Sequence, residues 1–355
     1  MLKRQAKKSL KKMNLQKIHD WFLANRRDFP WRKKRSPYQV LVSEIMLQQT
    51  QAERVIEYFS RWMEFFPDIL SLSQAPEQHV IKAWEGLGYY SRARSLHRCA
   101  RLIMEKHFGK IPKDEHQLLA LPGIGPYTAG AIRCFAFHER APAVDANVLR
   151  VLSRIYNREL FSHEATDILK KHLPKTSPWT AMEGLIELGA LLCNRKPKCA
   201  TCPFINSCQA YDKGTVHLIP QPKKQTKTTL WRDVAICLHE NHVLIIHRKK
   251  QAIMQGLYEF PYFESKPGGR RKEVFQKLAS QHFGHELHLL ESFKPISHSF
   301  TRYQATLYPT LFSSLAPFSW PDGEWIQQEQ LESLPFSSGH KRILRSLFSA
   351  NFARL

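Results

Sequence analysis

Apolar residues recur every three or four positions between residues 15 and 210, which is the spacing of amphipathic helices. Leu47, Val55, Phe59 and Trp62, for example, stand among Gln, Glu and Arg residues. Proline and glycine clusters punctuate this pattern, at "IPK" (111–113), "LPGIGP" (121–126) and "KTSP" (175–178). The pattern predicts an all-α region without a long alternating strand.

One helix start is well defined. The sequence "RSPY" at 35–38 places a serine directly before a proline. We expect Ser36 to cap the helix and Pro37 to occupy its first turn, where the missing proline N–H costs nothing.

The pattern changes after residue 218. Residues 219–229, "IPQPKKQTKTT", contain prolines and lysines without an apolar period, which is typical of a linker. Strand-like runs follow, with helical patterns between them. The strand-like runs cover 233–238, 243–248, 257–263 and 303–312, and the helical patterns cover 271–283 and 340–349. We therefore predict a basic tail (1–14), a helical domain (15–218), a linker (219–230) and an α+β domain (231–355).

Charge points to a polyanionic partner. The 355 residues include 53 Lys or Arg and 31 Asp or Glu, a formal net charge of +22. Nucleic acid is the commonest such partner, and an anionic membrane surface or the ribosome is the alternative. No apolar run approaches ~18 residues, so we expect no membrane span. The first twelve residues hold six Lys or Arg but no apolar segment follows, so we expect a solvated arm rather than a secretory signal.

Four of the seven cysteines fall within sixteen residues, spaced C-x5-C-x2-C-x5-C: Cys193, Cys199, Cys202 and Cys208. Four thiolates this close predict a metal or cluster site. A single compact loop favours one 4Fe–4S cluster, because zinc ribbons pair two short knuckles ~15–20 residues apart. A zinc ion and unliganded thiols remain the alternatives. Cys99, Cys134 and Cys237 lie alone in apolar surroundings and are expected to be core thiols.

The sequence "LPGIGPYTAG" at 121–130 carries two glycines before a predicted helix. Gly123 and Gly125 could simply form a tight turn with positive φ. In a chain this basic we favour phosphate binding, because glycines let an anion reach the free N–H groups of a helix N-terminus.

Several motifs in order resemble one superfamily. "LPGIGPYTAG", "VDANVLRVLSR" (144–154) and the four-cysteine loop resemble the helix-hairpin-helix DNA glycosylases. "PWRKKRSPYQVLVSEIMLQQTQ" (30–51) and "WEGLGYYSRAR" (84–94) narrow the resemblance to the MutY adenine glycosylases, and it covers about 30–210.

The resemblance implies two helical lobes with double-stranded DNA between them, followed by a Nudix-like α+β domain that recognises 8-oxoguanine. It implies removal of adenine mispaired with 8-oxoguanine or guanine, and one 4Fe–4S cluster. We expect a monomeric, intracellular (cytoplasmic) enzyme of base excision repair.

The proposed acid and its partner are two carboxylates. Glu44 has Val40, Leu41 and Leu47 as helical neighbours, so its pKa should be raised. Pairing with an arginine is the alternative; by resemblance Glu44 is the catalytic acid. Asp145 opens a helical pattern and could merely cap it. By resemblance Asp145 stabilises the cationic sugar and Asn147 helps to orient it.

Tyr127 stands where bifunctional relatives of the endonuclease III kind have a lysine. A phenol cannot form an imine, so we predict a monofunctional glycosylase that leaves an abasic site. We expect the Tyr127 hydroxyl to hydrogen-bond near Asp145.

Further contacts follow from the resemblance, each with a structural alternative as a core or surface residue. Gln48, Gln49 and Tyr89 would probe the DNA stack, with Tyr89 wedged beside the oxidised base. Trp31 and Glu187 would line the adenine pocket.

Three features depart from the family pattern. The first cysteine gap is one residue shorter than usual. The helix "RKEVFQKLASQHF" (271–283) lacks the clustered carboxylates that hold Mg²⁺ in Nudix hydrolases, so we expect no nucleotide hydrolysis. Phe300-Thr301-Arg302 replaces the family's Phe-Ser-His, which we expect to favour phosphate attraction over reading of the base edge.

Two other functions fit parts of the sequence pattern. A bifunctional pyrimidine-lesion glycosylase is disfavoured by Tyr127 and by the additional C-terminal domain. A non-catalytic iron–sulfur DNA-binding protein would not need both Glu44 and Asp145.

Overall fold

The structure is a computed structural model that describes residues 15–221, 226–248 and 254–349. The basic tail predicted over 1–14 lies outside the described residues, as do four residues of the predicted linker. Among the described residues, no helix has both the length and the apolar character that crossing a bilayer requires.

The described chain forms two compact units. One contains residues 15–74 and 98–221, and the other contains residues 75–97, 226–248 and 254–349. Helices account for the regular structure up to residue 221, as the spacing of apolar residues predicted. They are α1 (Leu15–Asn25), α2 (Trp31–Lys34), α3 (Pro37–Leu47), α4 (Ala52–Phe65), α5 (Ile69–Gln74), α6 (Glu77–Ala83), α7 (Ser91–His107), α8 (Glu115–Leu119), α9 (Pro126–Ala131), α10 (Ala146–Ile155), α11 (Ser162–His172), α12 (Pro178–Leu191) and α13 (Gln209–Asp212). A single π-helical turn, Ile132–Ala136, continues α9.

Helix α3 begins as predicted. The Ser36 hydroxyl accepts the Gln39 N–H at 3.2 Å, and Pro37 occupies the first turn. Every residue from Val40 to Met46 is buried. A helix that is covered on all sides belongs to the core of its unit, so a polar side chain on α3 is held away from water.

Helix α12 crosses its neighbours closely because it carries glycines at the crossings. A Cβ on Gly184 would come within 2.9 Å of Ile18 on α1, and one on Gly189 within 2.5 Å of the Asn147 Cβ on α10. The start of α10 is therefore held directly against α12, which sets the position of the residues at that start.

The second unit contains an eight-stranded mixed sheet. Its strands are β1 (Thr228–His239), β2 (His242–His247), β3 (Tyr258–Glu259), β4 (Tyr262–Glu264), β5 (Leu287–Ser292), β6 (Ile296–Phe300), β7 (Tyr303–Ser314) and β8 (Gly323–Gln327). The central order is β3-β2-β1-β7-β5, with β4 paired to β1, β6 to β7 and β8 to β2. Strands β1 and β7 run parallel from Thr228↔Tyr303 to Leu238↔Ser313, and the other pairs are antiparallel.

Two helices cover the sheet. Helix α14 (Lys272–Phe283) packs with Ala235 and Cys237 of β1, whereas α15 (Ser338–Ser349) packs with Val234 and Ile236. Alternate residues of β1 thus face different cores, which explains why its sequence "DVAICL" reads as continuously apolar.

The sequence located the long strands but not the short ones. Strand β1 begins at Thr228, inside the segment predicted as linker, and the run 257–263 divides into β3 and β4. Strands β5, β6 and β8 were not predicted, because "LHLLES" and "GEWIQ" carry too few apolar residues to show alternation. The three isolated cysteines, Cys99, Cys134 and Cys237, are fully buried core thiols, as expected.

Candidate active site

Glu44 is a buried carboxyl on α3. Its residue is 6% exposed, and its Oε2 accepts a hydrogen bond from the Tyr127 hydroxyl at 2.7 Å. The pKa of Glu44 is raised to about 7, mainly by burial and also by the negative charges of Glu183 and Asp145, against the lowering effects of the Tyr127 hydrogen bond and Arg32. The expectation of a raised pKa is confirmed, and the partner of Glu44 is a phenol rather than an arginine.

Tyr127 contacts a different carboxyl from the one expected. We expected its hydroxyl to lie near Asp145, but it donates to Glu44. Asp145 instead accepts hydrogen bonds from the Asn147 amide and the Val148 N–H. Burial raises the pKa of Tyr127 well above its ordinary value, with the Glu44 charge adding to this, so Tyr127 stays a neutral donor.

Asp145 caps α10 and is held at both oxygens. Oδ1 accepts the Val148 N–H at 2.7 Å, and Oδ2 accepts the Asn147 side-chain amide at 2.8 Å. Burial raises the pKa of Asp145, and these two hydrogen bonds lower it in opposition. The capping alternative is therefore real, and the same geometry fixes the direction of the carboxylate.

A chain of hydrogen bonds runs on from Asp145. The Asn147 Oδ1 accepts from an Arg150 Nη at 2.8 Å, and the Arg150 Nε donates to the Cys193 carbonyl at 2.7 Å. Arg150 also donates to the Gly189 carbonyl at 2.7 Å. The start of α10 and the first residue of the cysteine loop are thus connected by direct contacts.

Glu187 belongs to an ion network that the sequence reading missed. It is 1% exposed and accepts hydrogen bonds from Arg27 (2.7 Å) and Arg32 (2.7 Å). One turn earlier on α12, Glu183 accepts two hydrogen bonds from Arg35, at 2.9 and 2.8 Å. Two glutamates four residues apart in an otherwise apolar helix were the available signal, because buried carboxylates require partners.

Trp31 lies in the aromatic core. It is 6% exposed, stacks on Phe29 with ring centroids 4.6 Å apart, and meets Phe59 edge-on at 5.6 Å. Trp31 is therefore packed as a core residue, which was the structural alternative to lining a pocket. It lies next to the arginines of the ion network.

The glycine turn has two different glycines. Gly123 has φ +81°, which glycine adopts without strain, whereas Gly125 caps α9 in an extended conformation at φ −102°. The idea that both glycines supply positive φ is therefore wrong for Gly125. A Cβ at Gly125 would meet no protein atom within 4 Å, so packing within the chain does not require glycine there.

Gln48 and Gln49 follow α3 directly. The Gln48 amide donates to the Thr128 hydroxyl at 3.4 Å, which connects the end of α3 to α9. Gln49 has φ +56°, a left-handed conformation that is uncommon for a residue with a side chain. Both glutamines therefore lie next to the helices that carry Glu44 and Tyr127.

Tyr89 and the segment 300–302 lie in the other unit. Tyr89 is 39% exposed with φ +49°. Phe300 ends β6, and Thr301 and Arg302, both exposed, form the tight turn between β6 and β7. An Arg302 Nη donates to the Tyr303 hydroxyl at 3.1 Å, a partner that the sequence reading missed.

The four loop cysteines are free thiols that line one pocket. The pKa of Cys202 is raised to about 11, mainly by burial and also by the charges of the three other sulfurs. The guanidinium of Arg154, a residue 4% exposed, donates to the Cys193 Sγ at 3.3 Å. Other residues on the pocket wall are Leu192, Pro197, Lys198, Ile205, Tyr211 and Val216.

Comparison with family models assigns both parts of the chain. Residues 42–175 match the family described as HhH-GPD superfamily base excision DNA repair protein, and residues 233–346 match the NUDIX domain. The helical topology and the mixed sheet agree with these two assignments.

Three curated relatives of this chain are adenine DNA glycosylases. The adenine DNA glycosylase of Buchnera aphidicola (subspecies Baizongia pistaciae) is 34% identical over 264 residues, covering 70% of this chain and 73% of the relative. That of Mycolicibacterium smegmatis is 40% identical over 206 residues, covering 55% and 70%. That of Rattus norvegicus is 29% identical over 393 residues, covering 92% and 76%.

Solved structures match the helical part. A thermostable thymine-DNA glycosylase has 30% sequence identity and a TM-score of 0.53, covering 56% of this chain and 95% of that one. A non-covalent endonuclease III–DNA complex has 24% identity and a TM-score of 0.50, covering 56% and 94%.

Proposed function

Because the chain belongs to the adenine DNA glycosylases of the helix-hairpin-helix superfamily, we propose that its substrates are duplexes in which adenine is mispaired with 8-oxoguanine or guanine. The enzyme hydrolyses the N-glycosidic bond of that adenine and leaves an abasic site, acting as a monomer on double-stranded DNA. The single observation that carries the chemistry is the buried Glu44 carboxyl with Tyr127 on one oxygen.

Glu44 supplies the proton. A base inside a duplex is out of reach, so the adenine must first leave the stack. With a pKa raised to about 7 by burial, the Glu44 carboxyl is about half protonated at neutral pH. Tyr127 occupies Oε2, which leaves Oε1 to donate to a ring nitrogen of the adenine. The C1′–N bond then breaks, and its electron pair goes to the protonated base.

Asp145 stabilises the sugar that remains. Departure of adenine leaves positive charge on C1′ and the ring oxygen. The Asp145 carboxylate, oriented by Val148 and Asn147, offers its remaining lone pairs to that charge. Water then attacks C1′, and its proton passes to the ionised Glu44, which regenerates the acid.

Tyr127 limits the reaction to hydrolysis. Strand cleavage by a glycosylase-lyase needs an amine that attacks C1′ and forms an imine. Tyr127 has a hydroxyl rather than an amine at this position, so it cannot form an imine. That hydroxyl is neutral and donates to Glu44. The product is therefore an intact strand with an abasic site.

The cysteine loop supports a 4Fe–4S cluster. Four free thiols converge on one pocket, and buried Arg154 supplies a cation against one sulfur, as a negatively charged thiolate cluster requires. Bound there, a cluster would make the loop a rigid phosphate-facing surface.

We further propose that residues 15–218 form the catalytic domain and residues 231–355 form a lesion-recognition domain. Helix α14 contains one glutamate, Glu273, where a Nudix hydrolase needs several carboxylates for Mg²⁺. The exposed turn at Thr301 and Arg302 is the proposed reader of the base opposite adenine. Tyr89 is proposed to wedge beside that base, and Gly123 and Gly125 to contact phosphate.

An intact strand with an abasic site and a cleaved strand can be distinguished in one experiment. Duplex with adenine opposite 8-oxoguanine is incubated with the enzyme and then analysed with alkali, without alkali, and after borohydride reduction. Strand breaks only after alkali, and no borohydride-trapped complex, are expected. A trapped covalent complex with breaks before alkali would overturn the monofunctional assignment. Glu44→Gln tests the acid, and Glu57→Gln, an exposed carboxyl on α4, is the matched control.

A further inference from the structure

The turn that carries Tyr89 has an unusual backbone. Between α6 and α7, Gly86 has φ +104°, Gly88 has φ +74° and Tyr89 has φ +49°. A left-handed conformation is unfavourable for a residue with a side chain, so surrounding contacts must hold it. Residues 75–97, which include this turn, pack in one unit with residues 226–248 and 254–349.

Contacts within the turn provide part of that support. The Trp84 Nε1 donates to the Gly88 carbonyl at 3.0 Å. Arg92 donates to the carbonyls of Leu87 (3.3 Å) and Gly88 (3.2 Å), and its guanidinium lies 5.4 Å from the Tyr89 ring centroid. These contacts shape the turn from within.

The main chain of Phe336 provides the external anchor. Its N–H donates to the Glu85 Oε1 at 3.0 Å, and its carbonyl accepts from the Tyr90 hydroxyl at 3.5 Å. Phe336 is fully buried and stacks on Phe260 with centroids 5.7 Å apart. Two side chains that flank Tyr89 in sequence therefore hold both polar groups of one rigid core residue.

Lysines complete the anchor on either side. The Glu85 Oε2 pairs with Lys82 at 3.2 Å and with Lys341 at 3.3 Å. The Lys82 ammonium also donates to the Leu334 carbonyl at 2.9 Å and to the Glu332 carbonyl. We call Lys82, Glu85 and Lys341 the anchor cluster. Glu85 is its centre, because one carboxylate serves two cations and a buried N–H.

We propose that Glu85 is a positioning residue for Tyr89: through the anchor cluster it fixes the 84–90 turn to residues 332–341 and so sets discrimination of the base opposite adenine. This inference rests on the proposed function, in which Tyr89 probes that base. Glu85 touches neither substrate nor the reacting atoms, and its effect passes through the strained backbone of Tyr89.

Two substitutions separate the contributions of Glu85. Glu85→Gln keeps an oxygen for the Phe336 N–H but removes the charge, which leaves two neighbouring lysines without their carboxylate. Glu85→Ala also leaves the buried N–H without its acceptor, so a larger effect is expected. Glu77→Gln is the matched control, because Glu77 is an exposed glutamate at the start of α6, the helix that precedes the turn.

The first readout is local and independent of catalysis. Hydrogen–deuterium exchange of a peptide spanning 84–92 should be faster in Glu85→Gln, and faster still in Glu85→Ala. Exchange in α3, which carries Glu44, should stay at the level of the unchanged enzyme. Unchanged exchange in the turn of both variants would overturn the inference.

The second readout is single-turnover excision of adenine opposite 8-oxoguanine and opposite guanine. Glu85→Gln should lower the ratio of these two rates about tenfold, the effect of losing one charge-assisted hydrogen bond, and should leave the guanine rate within about twofold. Glu77→Gln should leave both rates unchanged.

A double-mutant cycle tests whether Glu85 acts through Tyr89. In a Tyr89→Ala background, Glu85→Gln should cause no further change, because its effect acts through Tyr89. Additive losses would show that Glu85 acts elsewhere, and would overturn the inference while adenine excision stands. A loss in Tyr89→Ala with no loss in Glu85→Gln would do the same. If Tyr89→Ala changes nothing, the proposed role of Tyr89 is wrong and the inference falls with it.

Discussion

Replacing Glu44 by glutamine should stabilise the enzyme above neutral pH although it removes the catalytic acid. The amide has nearly the same shape, and its oxygen can still accept the Tyr127 hydrogen bond. What it removes is the cost of ionising a buried carboxyl. A residue that serves the chemistry therefore lowers the free energy of unfolding of the enzyme at this pH.

The magnitude follows from the shifted pKa. Burial raises the pKa of Glu44 from its ordinary value of 4.5 to about 7, which at ~1.36 kcal/mol per pH unit corresponds to about 3 kcal/mol. The folded state holds this proton more tightly than the unfolded state, so stability falls as pH rises. The contribution is fully present below pH 4.5, is lost between pH 4.5 and about 7, and stays lost above that.

Urea unfolding of both forms across pH 4.5 to 8.5 measures the effect. Only the difference in unfolding free energy between glutamine and glutamate forms is used, so titrating groups that do not interact with Glu44 cancel. That difference should increase by about 3 kcal/mol from pH 4.5 to above pH 7. Glu57→Gln, which removes an exposed charge, is the control. A difference that does not vary with pH would refute the raised pKa of Glu44.

Three further outcomes are expected. Tyr127→Phe should move the alkaline limb of the single-turnover rate to higher pH. The Tyr127 hydrogen bond lowers the pKa of Glu44, so its removal lets that pKa rise. An unmoved limb would argue that Glu44 is not the titrating acid. Gly189→Ala should destabilise the protein by about 1–3 kcal/mol in thermal melting, because its Cβ would overlap Asn147, and retained stability would contradict the packing of α10 on α12. Cys199→Ser should lower the iron content and the visible absorbance of purified protein, and unchanged iron would contradict the cluster assignment.

Local signals in the sequence predicted the elements well. Ser36 and Pro37 specify the start of α3 within four residues, and the apolar neighbours of Glu44 predict its burial and raised pKa. Strand β1 was recognisable because both of its faces are buried, which makes its apolar run continuous. These features depend on residues close together in the chain.

Contacts between distant residues were harder to predict. The Tyr127–Glu44 hydrogen bond joins residues 83 positions apart, so the neighbours of neither residue in sequence indicate its partner. The Arg27–Glu187 pair spans 160 positions. Short strands such as β8 pack on one side of a sheet that is complete only after the whole unit folds, so five residues alone do not specify them.

The most direct test of the central claim is single-turnover cleavage of duplexes with adenine opposite 8-oxoguanine, guanine, cytosine or thymine, for the unchanged enzyme and Glu44→Gln. We predict adenine loss opposite 8-oxoguanine and guanine, strand breaks only after alkali, and a rate at least ~10²-fold lower in the variant. Tight binding to every duplex without adenine loss, or full activity in Glu44→Gln, would contradict it.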